Sequence, residues 1–222
     1  MDRRLAAILI VLAAIVSTPV YSDELYKAVN ARDAKRVFAL LNSGADPNER
    51  SPYDGPLHVA ARLGPPEIVA ALISAGADIE LQGYGGVRPL HAAALAGQNK
   101  IVALLLARGA KVEALDNLGR TPLLTVASIG AGDVKTLKIL LTAGADPNAE
   151  DGATHFYALD YAAMHGRAEG ARLLIAAGAD VNIRESLEGR APLHLAISGP
   201  NHFGAGQETW RSYKSLSNAV PT

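Results

Sequence analysis

The chain has 222 residues, 49% of them hydrophobic and 19% charged, which excludes a disordered composition and leaves room for one substantial domain or a short array. A formal net charge of −1 gives no electrostatic reason to expect nucleic acid or an anionic membrane as a partner. No cysteine is present, which excludes disulfides and a lipobox anchor, and an apolar content of mostly Ala and Leu with 5% aromatics favours closely packed helices over a β-sandwich.

Residues 1–22 have the layout of a secretory signal peptide. Arg3 and Arg4 precede an unbroken apolar run from Leu5 to Val16, and the small residues Val20 and Ser22 stand at −3 and −1 of a cleavage site after Ser22. The alternative is an uncleaved anchor helix, but the run is shorter than the ~20 residues a span requires. Losing Asp2, Arg3 and Arg4 would change the net charge from −1 to −2. A simple export signal points to the periplasm, without stable membrane insertion after cleavage.

From residue 24 onward the chain repeats. GADPN at 44–48 returns at 144–148, with GADIE at 76–80, GAKVE at 109–113 and GADVN at 178–182 between and beyond; the leading glycines are 32, 33, 35 and 34 residues apart. A second signature precedes each from the second copy on: GPLHVAARLG (55–64), RPLHAAALAG (88–97), TPLLTVASIG (121–130) and YALDYAAMHG (157–166). Pro56, Pro89, Pro122 and Pro192 suit the first position of a helix, where a missing N–H costs nothing. Thr121 suits an N-cap. Gly64, Gly97, Gly130 and Gly166 are expected to end each first helix in the left-handed conformation, and Gly76, Gly109, Gly144 and Gly178 each second one. Ile68, Val69, Leu72 and Ile73 give the second helix an apolar stripe. One such pair cannot bury its own apolar face, so the copies must stack.

These signatures resemble the ankyrin repeat, whose motif reads roughly D-x-x-G-x-T-P-L-H-x-A-A-x-x-G, then an apolar helix, then G-A-D-V-N. The resemblance covers about residues 24–199. It implies an all-α repeat solenoid of helix-turn-helix units with β-hairpin fingers, in five to six copies at about 24–50, 51–83, 84–116, 117–151, 152–184 and a partial 185–199. The first copy lacks T-P-L-H and reads as an N-terminal cap. The fourth carries a two-residue insertion placed in SIGAGD (128–133). Residues 200–222 form a divergent tail, either a cap built on Trp210, Tyr213 and Leu216 or a frayed end.

His91 lies mid-run in RPLHAAALAG, where a catalytic role is the first thing to test. Its equivalents are His58, Leu124, Asp160 and His194, so two copies do without it. The resemblance implies a structural role for His58, His91 and His194, each imidazole hydrogen-bonded to backbone. Enzyme signals are otherwise missing. GAGDVKT (130–136) lacks the G-K-[ST] order of a phosphate loop, and there is no H-E-x-x-H, G-x-S-x-G or cysteine nucleophile. No catalytic residue, metal or cofactor is expected.

The expected function is therefore binding another protein through a concave groove, as a monomer in isolation. The resemblance puts Arg50, Tyr53, Tyr84, Val87, Asn117, Arg120, Phe156, Tyr157 and Arg190 in the fingers, and Leu95, Met164 and His165 on the helices beside them. Tyr53, Tyr84, Arg120, Phe156 and Tyr157 are the expected anchors, since Tyr and Arg dominate interface hot spots. An immunity-type inhibitor or stabilising partner of an exported enzyme or toxin is the narrower alternative.

Overall fold

Pro56, Pro66, Pro89 and Pro122 each begin a helix. The computed structural model describes residues 24–51, 54–128, 133–183 and 191–192. The expectations for 1–22, Tyr53, the 128–133 insertion beyond Ser128, Gly130, Arg190, His194 and 200–222 lie outside the described residues, except that Asp133 itself is described. Ten α-helices are described. They pair as α1 (Glu24–Asn30) with α2 (Ala34–Asn42), α3 (Pro56–Leu63) with α4 (Pro66–Ser74), α5 (Pro89–Leu95) with α6 (Asn99–Ala107), α7 (Pro122–Ser128) with α8 (Val134–Thr142), and α9 (Ala158–Met164) with α10 (Ala168–Ala176).

The two helices of a pair have different surroundings, and their sequences say why. The first helices pack on one another along the stack and on their own partners. In α3 everything from Pro56 to Ala61 is buried, and in α5 everything from Pro89 to Ala94. Such a helix must be apolar nearly all round and thin, hence Ala60, Ala61, Ala93 and Ala94. The second helices form the outer layer and bury a single stripe: Ile68, Val69 and Leu72 in α4, and Ile101, Val102 and Leu105 in α6, all at 0% exposure. Burying a side chain of this size contributes about 1.5–3 kcal/mol before the entropy of ordering is charged against it.

Gly-Ala of the repeated G-A-D ends each outer helix by one device. In α4 the Gly76 amide donates to the Ile73 carbonyl at 3.0 Å and the Ala77 amide to Leu72 at 2.9 Å, with Gly76 at φ +94°. This is a Schellman cap, which needs a left-handed residue that glycine supplies without strain. It recurs at Gly44, Gly109, Gly144 and Gly178. Gly64 departs from the expectation. It sits at φ −82°, ψ 165°, because Pro65 follows and restricts the preceding residue to extended backbone.

The fifth residue of each motif ties one repeat to the next. Asn48 Nδ2 donates to the Gly76 carbonyl at 2.9 Å and its Oδ1 accepts the Asp78 amide at 2.7 Å. Asn148 does the same with Gly178 and Asp180, at 3.0 and 2.8 Å. Where the motif ends in glutamate, Glu80 Oε1 accepts the Lys111 amide at 2.9 Å and Glu113 Oε1 the Asp146 amide at 3.0 Å. Asn and Glu are interchangeable here because both offer an oxygen at that reach.

The fingers are tight turns rather than strand-paired hairpins. Among the described residues the only β-pairing is an isolated antiparallel bridge between Glu150 and Tyr157. Each finger is too short to extend a ladder, and side-chain carboxylates satisfy its amides instead.

Candidate functional site

The histidines of the repeat are joints. His58 Nδ1 accepts the Gly55 amide at 3.3 Å, and Nε2 donates to the Val87 carbonyl of the next finger at 3.0 Å. His91 repeats this with the Arg88 amide and the Arg120 carbonyl, at 3.3 and 3.0 Å. Accepting at Nδ1 while donating at Nε2 requires the neutral Nε2–H form. Burial holds both imidazoles below the usual histidine range, against the pull of Asp54 on one and of the Arg120 carbonyl and Asp116 on the other. Of the substituted copies, the fifth keeps the helix-start half of the joint and the fourth replaces it by the reverse bond. Asp160 Oδ2 accepts the Tyr157 amide at 2.9 Å. In the fourth copy Thr121 Oγ1 accepts the Leu124 amide at 3.2 Å, so Leu124 can be apolar.

Buried aspartates organise the third and fourth fingers. Asp116 Oδ1 accepts the amides of Leu118 and Arg120, both at 2.9 Å, while its Oδ2 takes the Arg120 guanidinium through Nε at 3.1 Å and Nη2 at 3.0 Å. Asp151 Oδ1 accepts the amides of Ala153 and Thr154, and its Oδ2 the hydroxyl of Tyr161 at 2.7 Å. Burial first, then Asp151, pushes the Tyr161 hydroxyl up to about 12. Asp151 precedes Ala158 by seven positions where Asp116 precedes Pro122 by six. The longer loop turns through His155 at φ +59°.

Neighbouring fingers are fastened to each other. The Asn117 amide donates to the Gly85 carbonyl at 2.8 Å. A Cβ on Gly86 would lie 2.2 Å from Asn117 Oδ1, and one on Gly119 only 3.0 Å from the Gly152 backbone. These glycines let the second, third and fourth fingers touch backbone to backbone.

The expected anchors divide on this framework. Tyr84 is 74% exposed and Leu95 47%. Arg50 and Asn117 are exposed as well. Arg120 is folded onto its own finger by Asp116. Phe156 is half-buried and packs edge-on against Tyr161, ring centroids 5.6 Å apart. Val87 is half-buried against the core, and its carbonyl belongs to His58. Tyr157 is half-buried, its hydroxyl raised by burial and by Glu150. Met164 and His165 are half-buried at the end of α9, and His165 Nε2 has no hydrogen-bond partner among the described residues. Beside Phe38 and Val134, which are exposed on outer helices, two exposed finger residues escaped the sequence reading: Leu115 at 53% and Leu118 at 48%, on the finger that touches Gly85. Their apolar character in a turn that must be polar elsewhere was the available signal.

A family model described as Ankyrin repeats (3 copies) matches residues 25–116, 57–151 and 123–205. The chain belongs to the ankyrin-repeat family. It is similar to Ankyrin repeat and SOCS box protein 6 of Mus musculus, 33% identical over 72 residues that make up 32% of this chain and 17% of that protein. It is also similar to the E3 ubiquitin-protein ligase KEG of Arabidopsis thaliana, 42% identical over 62 residues, 28% of this chain and 4% of the other. The chain matches less than a fifth of the length of either relative. Ankyrin repeats are generally protein–protein interaction modules. Among the described residues no helix is long and apolar enough to cross a membrane.

Proposed function

We propose that this ankyrin array is an exported, non-catalytic module that binds one protein partner in the periplasm. The observation that carries the reading is the apolar exposure of Tyr84, Leu95, Leu115 and Leu118 in the middle repeats, beside fingers fastened to one another. An exposed Tyr and three exposed Leu serve no packing purpose in the stack, and a rigid surface loses little entropy on docking. The layout of residues 1–22 supports export. Arg120 and Phe156 support the surface from behind and are not its anchors.

The test is capture from periplasmic extract with residues 23–222 as bait, the recovered proteins being identified by mass spectrometry. A specific partner should be lost at least tenfold on Tyr84→Ala with Leu118→Ala, at unchanged thermal stability. Undiminished recovery would place the contact elsewhere. Recovery of a single exported hydrolase or toxin, inhibited by the bait, would narrow the reading to an immunity-type role.

A further inference from the structure

Between the fourth and fifth repeats the stack leaves a cavity of about 410 Å³, within the ~300–1,000 Å³ typical of small-ligand sites. Val126, Ala127, Val134, Leu137, Ala162 and Leu174 form its apolar wall. Its origin is a deletion of side-chain volume. Gly170 of α10 stands where α4 and α6 carry Ile68 and Ile101, and Ala171 where they carry Val69 and Val102, all four of those being fully buried. A Cβ on Gly170 would come no closer than 3.7 Å to Leu137. The helices do not need glycine there in order to approach.

Arg167 lines the same cavity. Its Nη2 is buried without a hydrogen-bond partner among the described residues. A guanidinium stays charged at any physiological pH, so an unpaired buried N–H is costly and calls for an acceptor. The wall carboxylate, Glu169, pairs with Arg172 at 3.1 Å. Asp133, next to Val134, is engaged by Asn99, Thr136 and the Lys135 amide. The one acidic residue in the first turn of α10 is Glu169, whose carboxylate is turned to Arg172, and Arg167 at the N-cap makes no side-chain cap. Apolar space and an unpaired cation meet at one point.

We propose that this cavity binds the anion of a small apolar carboxylic acid, a medium-chain fatty acid by its size, with the carboxylate on Arg167 and the chain in the space left by Gly170. The site is separate from the finger surface and does not depend on it.

Octanoate, octanol and octylamine, titrated into the purified chain by calorimetry below micellar concentrations, test this. Octanoate should saturate a single site at least tenfold more tightly than octanol, and octylamine should not bind. Arg167→Gln should bring octanoate down to the level of octanol. Gly170→Ile, which restores the side chain found in other repeats, should abolish binding of both while the far-ultraviolet circular dichroism stays helical. No saturable octanoate binding, equal binding of octanoate and octanol, or undiminished binding to either variant would overturn the proposal.

Discussion

His91 Nε2 donates to the carbonyl of Arg120, 29 residues further along the chain, at 3.0 Å. One neutral imidazole thus closes the start of its own helix and holds the finger of the following repeat. His58 does the same one repeat earlier.

Acid should weaken the array through these two residues. Unfolded, they protonate near pH 6.5. Folded, their affinity for protons is lowered by burial. Their contribution is fully present above about pH 6.5 and is lost as the pH falls through their lower folded values. The melting temperature should therefore drop between pH 7.5 and 5, and the drop should be shallower in His58→Asn with His91→Asn. An equally steep drop in that variant would place the acid sensitivity in other groups.

Asn148→Ala removes two inter-repeat hydrogen bonds at an exposed edge and should cost about 1–2 kcal/mol in urea denaturation. Asn148→Glu should cost about half as much, because Glu80 and Glu113 show that glutamate can still accept the next repeat's amide. Equal losses would mean that the bond to Gly178 contributes nothing.

Two glycines should respond differently to the same pair of substitutions. Gly109 lies at φ +91° with open space around it. Gly109→Ala should cost about 1–2 kcal/mol from left-handed strain, and Gly109→Asn less, since asparagine tolerates that region. Gly64 is not left-handed, but a Cβ there would lie 2.7 Å from the Ala60 carbonyl oxygen. Asn should bring no relief over Ala at Gly64, and chemical denaturation of the four variants decides it.

Tyr161→Phe withdraws the hydroxyl from Asp151, which is 1% exposed. Leaving a buried carboxylate short of a donor should cost about 1–3 kcal/mol. Tyr84→Phe, at an exposed site, should stay within about 0.5 kcal/mol. Similar stabilities of the two variants would show that the fourth finger does not depend on this contact.

The stack was legible because its constraints recur. Gly-Ala at a helix end answers a local demand met five times over, while Pro at a helix start and a stripe such as Ile68, Val69 and Leu72 recur in the middle copies. The candidate surface was harder to read because a residue type does not reveal its partner. Arg120 is held by Asp116, and Phe156 packs edge-on against Tyr161 of α9. Both contacts are local to one repeat, and no periodicity marks them. Leu115 and Leu118 stood in the sequence as the least suitable residues for a turn, and their exposure is set by Asp116 turning the backbone around them.

The junctions of the stack are not equally braced against load. Every junction from Asn48 to Asp180 carries a clip at the G-A-D edge. On the opposite edge Gln98 grips the Arg62 carbonyl, and Asn99 is laced to Asp133 and Thr136. Among the described residues nothing comparable spans from the first repeat to the second on that edge, or from the fourth to Arg167 in the fifth. Pulled from its two ends, the array would behave as a spring with a soft coil near each end and a stiff middle. The first extension would come from the terminal repeats parting on one side, with the other edge as the pivot.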